Sequence, residues 1–124
     1  MKVAIVGSRT FNDYRTAKKF IDDTCSENGI EITTIVSGGA RGADAIGERY
    51  ARENGIETLI FPADWKTYGK RAGFKRNHDI IYNCDVCIAF WDGLSHGTKH
   101  DIELCEQYGK KVYIHLFKNG CQNL

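Results

Sequence analysis

The chain has 124 residues, a formal net charge of +1, and 42% hydrophobic and 27% charged residues. That length suits one domain burying about two thirds of its unfolded surface. The near-balanced charge argues against broad contact with nucleic acid, which draws a basic excess, so nucleic acid is not expected as a partner. No apolar run approaches the roughly 20 residues of a membrane span. No signal-peptide pattern opens the chain, so a cytoplasmic protein is expected.

The elements follow in chain order. Residues 2–6, Lys-Val-Ala-Ile-Val, predict a buried strand, followed by a loop at 7–11. Asn12 or Asp13 caps a helix reaching Asn28, with Tyr14, Ala17, Phe20, Ile21 and Cys25 (or Thr24) at helical spacing and Gly29 as its stop. A second strand covers about 31–36. The second helix runs from about Arg41 to Asn54, with Ala43, Ile46, Gly47, Tyr50 and Ala51 inward. The third strand is 57–61, closed by Pro62, and a loop spans 63–72. Helix 73–83, strand 85–90, a loop at 91–96, helix 97–108 and strand 111–116 complete the order, leaving 117–124 as a flexible tail. Unbroken β-α alternation predicts a Rossmann-like α/β domain over 1–124. Its five-stranded parallel sheet is doubly wound, with helices on both faces.

Five cysteines at 25, 84, 87, 105 and 121 are an odd number in expected buried positions, which suits reduced thiols. Cys84 and Cys87 form a C-x-x-C that precedes a strand instead of opening a helix, so it reads as packing. His96 and His100 are four apart but lack a third ligand, so no metal site and no cofactor are expected.

Doubly wound topology brings every βα loop to the carboxyl edge of the sheet. The central stretch is Ser37, Gly38, Gly39, Ala40, Arg41, Gly42, Ala43 and Asp44. It joins a β-branched strand to a helix start, where unpaired N–H groups and the helix dipole attract anions. It is neither a Walker loop nor G-x-G-x-x-G. The first loop, Gly7, Ser8, Arg9, Thr10 and Phe11, supplies an arginine that can fork onto a phosphate. Arg41, in the expected first turn of the second helix, opposes the dipole and so suits a nearby anion or Asp44. From Lys66 to Arg76 there are five basic residues and no acid, interleaved with Tyr68 and Phe74 and preceded by Asp64 and Trp65. Cations with aromatics suit a nucleotide, whose base stacks while its phosphate is neutralised. The last loop, with Trp91 and Asp92, leads to Gly97 and Thr98. Asp101 and Glu103 fall in the first turns of that helix, placed either to favour its dipole or to face the cleft.

These motifs, together with Lys70 and the Arg76-Asn77 pair, resemble the YspA/YpsA-related branch of the SLOG superfamily over about residues 3–116. The resemblance implies a Rossmann-like fold and a site for nucleotides or nucleotide derivatives such as ADP-ribose, and it implies homo-oligomers. The Ser37–Gly42 stretch is also similar to that of the DprA family, which binds single-stranded DNA. The enzymatic Lonely Guy branch carries Pro-Gly-Gly-x-Gly-Thr-x-x-Glu. Here Gly97 and Thr98 match, the Pro-Gly-Gly is missing, and the acid is Asp101. Binding of a nucleotide-type small molecule is therefore the first expectation. Cleavage of an N-glycosidic bond, with Asp101 (or Glu103) as the catalytic carboxylate that stabilises the sugar cation, is the second, and single-strand binding the third.

Overall fold

The structure, a computed structural model, describes residues 1–118. Five parallel strands form one sheet in the order β3-β2-β1-β4-β5. They are β1 (Lys2–Gly7), β2 (Thr34–Ser37), β3 (Glu57–Ile60), β4 (Val86–Trp91) and β5 (Lys111–Leu116). The connecting helices are α1 (Tyr14–Asn28), α2 (Ala43–Glu53), α3 (Trp65–Tyr68), α4 (Ala72–Tyr82) and α5 (His96–Gln107). β1 is paired with β2 on one side and β4 on the other, so the winding reverses there and a crevice opens at their carboxyl ends. This is the doubly wound α/β architecture that the alternation predicts.

Side-chain alternation along β1 divides the core into two layers. Val3 and Ile5 pack with Ala17 and Ile21 of α1 and Ala43, Ile46 and Tyr50 of α2. Ala4 and Val6 pack on the opposite face with Ile80 and Ile81 of α4 and Leu104 and Cys105 of α5. The C-x-x-C residues belong to this second layer. Burial pushes the Cys84 thiol up to about 12, which suits an inert packed side chain.

Several boundaries differ from the sequence pattern for identifiable reasons. β2 starts at Thr34, after a bend at Thr33, whose N–H donates to the Met1 carbonyl at 2.9 Å. α2 starts at Ala43 behind Gly42, leaving Arg41 ahead of the helix and outside its first turn. The expected loop at 63–72 contains α3, whose Thr67 N–H donates to the Asp64 carboxylate at 3.1 Å. A 3₁₀ turn, Gly69–Arg71, then leads into α4. α5 begins at His96, one residue earlier than the pattern indicates, and Asp101 is among its buried residues. Phe117, expected as the start of the tail, donates its N–H to Trp91 at 3.0 Å and sets its ring 4.7 Å from that of Phe11. The rest of the expected tail from residue 119, with Cys121, lies outside the described residues. No helix among the described residues is long and apolar enough to cross a membrane.

Gly42 makes the close approach of two loops possible. Its φ is +79°, and a Cβ there would lie 2.6 Å from the Arg9 Cα. Gly97, in the first turn of α5, has nothing within 4 Å of a built Cβ. Gly42→Ala should cost about 2–3 kcal/mol through strain and clash. Gly97→Ala should gain about 0.5–1 kcal/mol from helix propensity. Urea unfolding of the two variants checks both signs.

Candidate functional site

Four βα connections meet at the mouth of the β1/β4 crevice, and Ser8 joins three of them. Its N–H donates to the Phe90 carbonyl at the end of β4 (2.9 Å), and its own carbonyl accepts the Ala43 N–H at the start of α2 (3.3 Å). Its hydroxyl lies 2.9 Å from the Ser95 hydroxyl, which is 3.3 Å from Thr98 Oγ1. Asp92 holds the fourth loop by accepting the N–H groups of Leu94 and Ser95 at 2.9 and 2.8 Å. Ser95 spends its hydroxyl on neighbouring side chains, so it does not cap α5; Gly42 has no side chain to cap α2. Two helix N-termini therefore open onto the crevice with no side-chain cap, whereas Asp13 and Asp64 cap α1 and α3.

The crevice holds two adjoining hollows. The first, about 330 Å³, is lined by Gly7, Ser8, Arg9 and Thr10 from the first loop and by Ala40 and Asp44 around α2. Its other wall is Arg76 and Asn77 of α4 with Asp92, Gly97, Thr98 and Asp101 from the β4–α5 segment. The second, about 390 Å³, lies between Gly38, Gly39 and Arg41 on one side and Pro62 and Trp65 on the other. Arg9, Ala40 and Arg76 border both. Arg76 is held by two bonds, Nε to Asn77 Oδ1 at 3.1 Å and Nη1 to the Gly38 carbonyl at 3.2 Å. A Cβ on Gly38 would fall 2.6 Å from Arg76 Nη1 and 2.9 Å from Asp44 Oδ2, so only glycine leaves room for both. Asn77 lies 3.1 Å from His100 Nδ1, tying α4 to α5.

Five of the residues expected at the site are elsewhere. Phe11 is buried, its ring stacked on Phe90 at 4.8 Å, and it serves the core. Ser37 is fully buried, its hydroxyl 3.2 Å from the Glu48 carboxylate. Trp91 donates its indole N–H to the Ser95 carbonyl at 3.0 Å and so braces the loop. Asp64 is the α3 cap, and Lys70 lies in the exposed 3₁₀ turn; neither lines the two hollows. Ser95, which the pattern did not single out, lines the first hollow. Its only signal is a hydroxyl immediately before a helix start.

Two acids form part of the wall. Asp44 is pushed up to about 6 by burial, a rise limited by the Arg76 guanidinium and by the N–H groups of Ala40 and Gly38. Asp101 is held well above the usual carboxylate range by burial and by the neighbouring Asp44, with Arg76 opposing both. Among the described residues, Asp101 Oδ1 is the buried side-chain oxygen that lacks a hydrogen-bond partner. No group of three or more acids, histidines or cysteines among them is placed to hold a metal.

The sequence pattern of the YspA, cpYpsA-related SLOG family matches residues 1–68, from β1 through α3. The chain belongs to this family. A protein of Mycobacterium phage D29, its gene 61 product, is similar to this SLOG chain, with 36% identity over 117 residues covering 90% of this chain and 93% of that protein. DNA processing protein A from Helicobacter pylori, solved for its single-stranded DNA binding mode, shares the fold. Its TM-score is 0.68 and its identity 22%, over 99% of this SLOG chain and 70% of the other. That likeness corrects the expectation that nucleic acid is not a partner. The fold of this SLOG chain also serves a protein that binds single-stranded DNA, and a net charge of +1 averages over a locally basic segment at 66–76.

Because the folded pKa of Asp44 lies above its unfolded value, the folded state binds the extra proton between about pH 4 and 6. The stability this carries is present below that window and lost above it, by about 3 kcal/mol. Asp44→Asn keeps the acceptor for the Ala40 N–H without the charge. It should melt higher than the parent near pH 8 and show no advantage near pH 4, as read by thermal denaturation at both values.

Proposed function

We propose that the crevice binds a nucleotide or nucleotide derivative of the ADP-ribose kind, with phosphate between the starts of α2 and α5 and the base toward Trp65. The observation that carries this reading is the meeting of the two hollows at Arg9, Ala40 and Arg76. One hollow offers hydroxyls and helix N-termini, and the other an exposed indole beside a glycine turn. Both volumes fall within the about 300–1,000 Å³ typical of small-molecule sites. Arg9 is an exposed cation on the rim, available to fork onto phosphate. Hydrolysis is supported less well. The acid that would have to stand ionised beside a sugar cation, Asp101, has its charged form disfavoured by burial.

Titration calorimetry with AMP and ADP-ribose tests the reading. Arg9→Ala should weaken both by about 10- to 100-fold, the equivalent of a charge-assisted pair. Trp65→Ala should remove about 1–3 kcal/mol of stacking from AMP while leaving ribose 5-phosphate unchanged. Absence of binding and of any melting shift with AMP, ADP-ribose and cyclic dinucleotides at about 1 mM would overturn it.

A second reading is favoured by one surface. Trp65 and Phe74 are more than half exposed on the α3–α4 side, accompanied by Lys66, Lys70, Arg71 and Lys75. Exposed rings among cations are what single-stranded nucleic acid stacks on. By this reading, affinity for an oligo-dT strand falls at least about tenfold between roughly 50 and 200 mM salt, and a flat titration excludes it.

A further inference from the structure

We infer that Asp44 and Asp101 act as a pair that takes up one proton when an anionic ligand enters the crevice, so that Asp101 presents an O–H donor to a ligand oxygen. The inference rests on the nucleotide reading and adds which ligand atoms the wall selects. Its basis is placement. The two carboxyls reach one hollow from α2 and α5, and a single guanidinium, Arg76 of α4, lines the same hollow and favours the charged form of both. That guanidinium is anchored by Asn77 and by the Gly38 carbonyl. Asp44 accepts the Ala40 N–H, but Asp101 Oδ1 has no partner although its residue is only 6% exposed.

Other ionisable groups near the pair do not supply the missing cation. Glu48 on α2 adds negative charge near Asp44. Cys105 on α5 and Cys87 on β4 are buried thiols near Asp101. Asp92 borders the hollow from the fourth loop, and Arg9 lies on the exposed rim. An arriving phosphate would thus add negative charge to a wall where two acids already share one cation. A proton drawn from solvent lowers that repulsion, and it converts the orphaned oxygen's carboxyl into a donor. The two acids titrate together as one pair. The site then favours ligands that turn an acceptor, a phosphate or carbonyl oxygen, toward Asp101 over those that turn a hydroxyl donor toward it.

ADP-ribose is the probe, because each phosphate of its bridging diphosphate has a single strongly acidic oxygen and the charge stays constant between about pH 5.5 and 8.5. Calorimetry in two buffers of different ionisation enthalpy should show uptake of up to one proton. The affinity of the parent should fall toward tenfold per pH unit across part of that range. Asp101→Asn, an uncharged donor, should keep binding with a shallower slope, and the Asp44→Asn/Asp101→Asn double variant should bind independently of pH. Where the double variant does not fold, the slope of Asp101→Asn decides. An infrared carboxylic-acid band near pH 7 should also grow when the parent binds ADP-ribose, and Asp101→Asn should lose that growth. Binding with no proton uptake and no slope, or a slope that survives in the double variant, overturns this inference and leaves the nucleotide reading standing. No binding at any pH overturns the nucleotide reading and this one with it.

Discussion

The arrangement of the crevice depends on the backbone of one residue, Ser8. Where β1 ends, its N–H and carbonyl are committed to Phe90 on β4 and to Ala43 at the head of α2. These two bonds set how far apart the halves of the sheet sit at their carboxyl edge. They also explain why Gly42 must lack a side chain, since the Arg9 backbone passes directly over it. With the main chain engaged in this way, the Ser8 hydroxyl is left for Ser95, and the β4–α5 segment is drawn toward the α2 N-terminus. The crevice is thus a by-product of how the central strands are tied off.

Its electrostatics run against stability. Burying Asp44 and Asp101 beside a single guanidinium is a poor way to hold a core together, since charged groups lose their hydration and gain one cation between them. Strained or costly polar arrangements of this kind collect at functional sites, where elsewhere a protein would place apolar side chains. Arg76 is the residue on which the arrangement turns, because it faces both acids while gripping the Gly38 carbonyl of the opposite loop. A small movement of its guanidinium would alter both carboxyls together.

Much of this was legible in the sequence. Short β-branched runs alternating with helical spacing specify the winding, and the winding alone brings Arg9, Gly39, Asp44 and Thr98 to one edge. What was illegible depends on which way a loop side chain turns. Phe11 follows a polar loop and could have faced ligand or core; only the presence of Phe90 and Phe117 beneath it decides. α3 is four residues long, too short to leave a periodic trace, and only its Asp64 cap marks it. By its position near the start of α5, Asp101 could either favour the helix dipole or face the cleft. Its spacing from Thr98 and from Leu104 and Cys105, all of them buried, puts it on the inner stripe, and that phase was available. Net charge misled for another reason. A chain-wide sum conceals a segment, Lys66 to Arg76, in which every charge is positive.

The strand order also bears on how the chain acquires this edge during synthesis. Once the chain has been made as far as residue 68, only β1, β2 and β3 exist. At that point β1 has one bare flank, and Ala4, Val6 and Val36 have no helix over them, because Ile80, Ile81 and Leu104 have yet to emerge. The amino-terminal half therefore cannot close as an autonomous unit on the ribosome. The glycine turn at 38–42 gains its opposite wall only after residue 101 has been added.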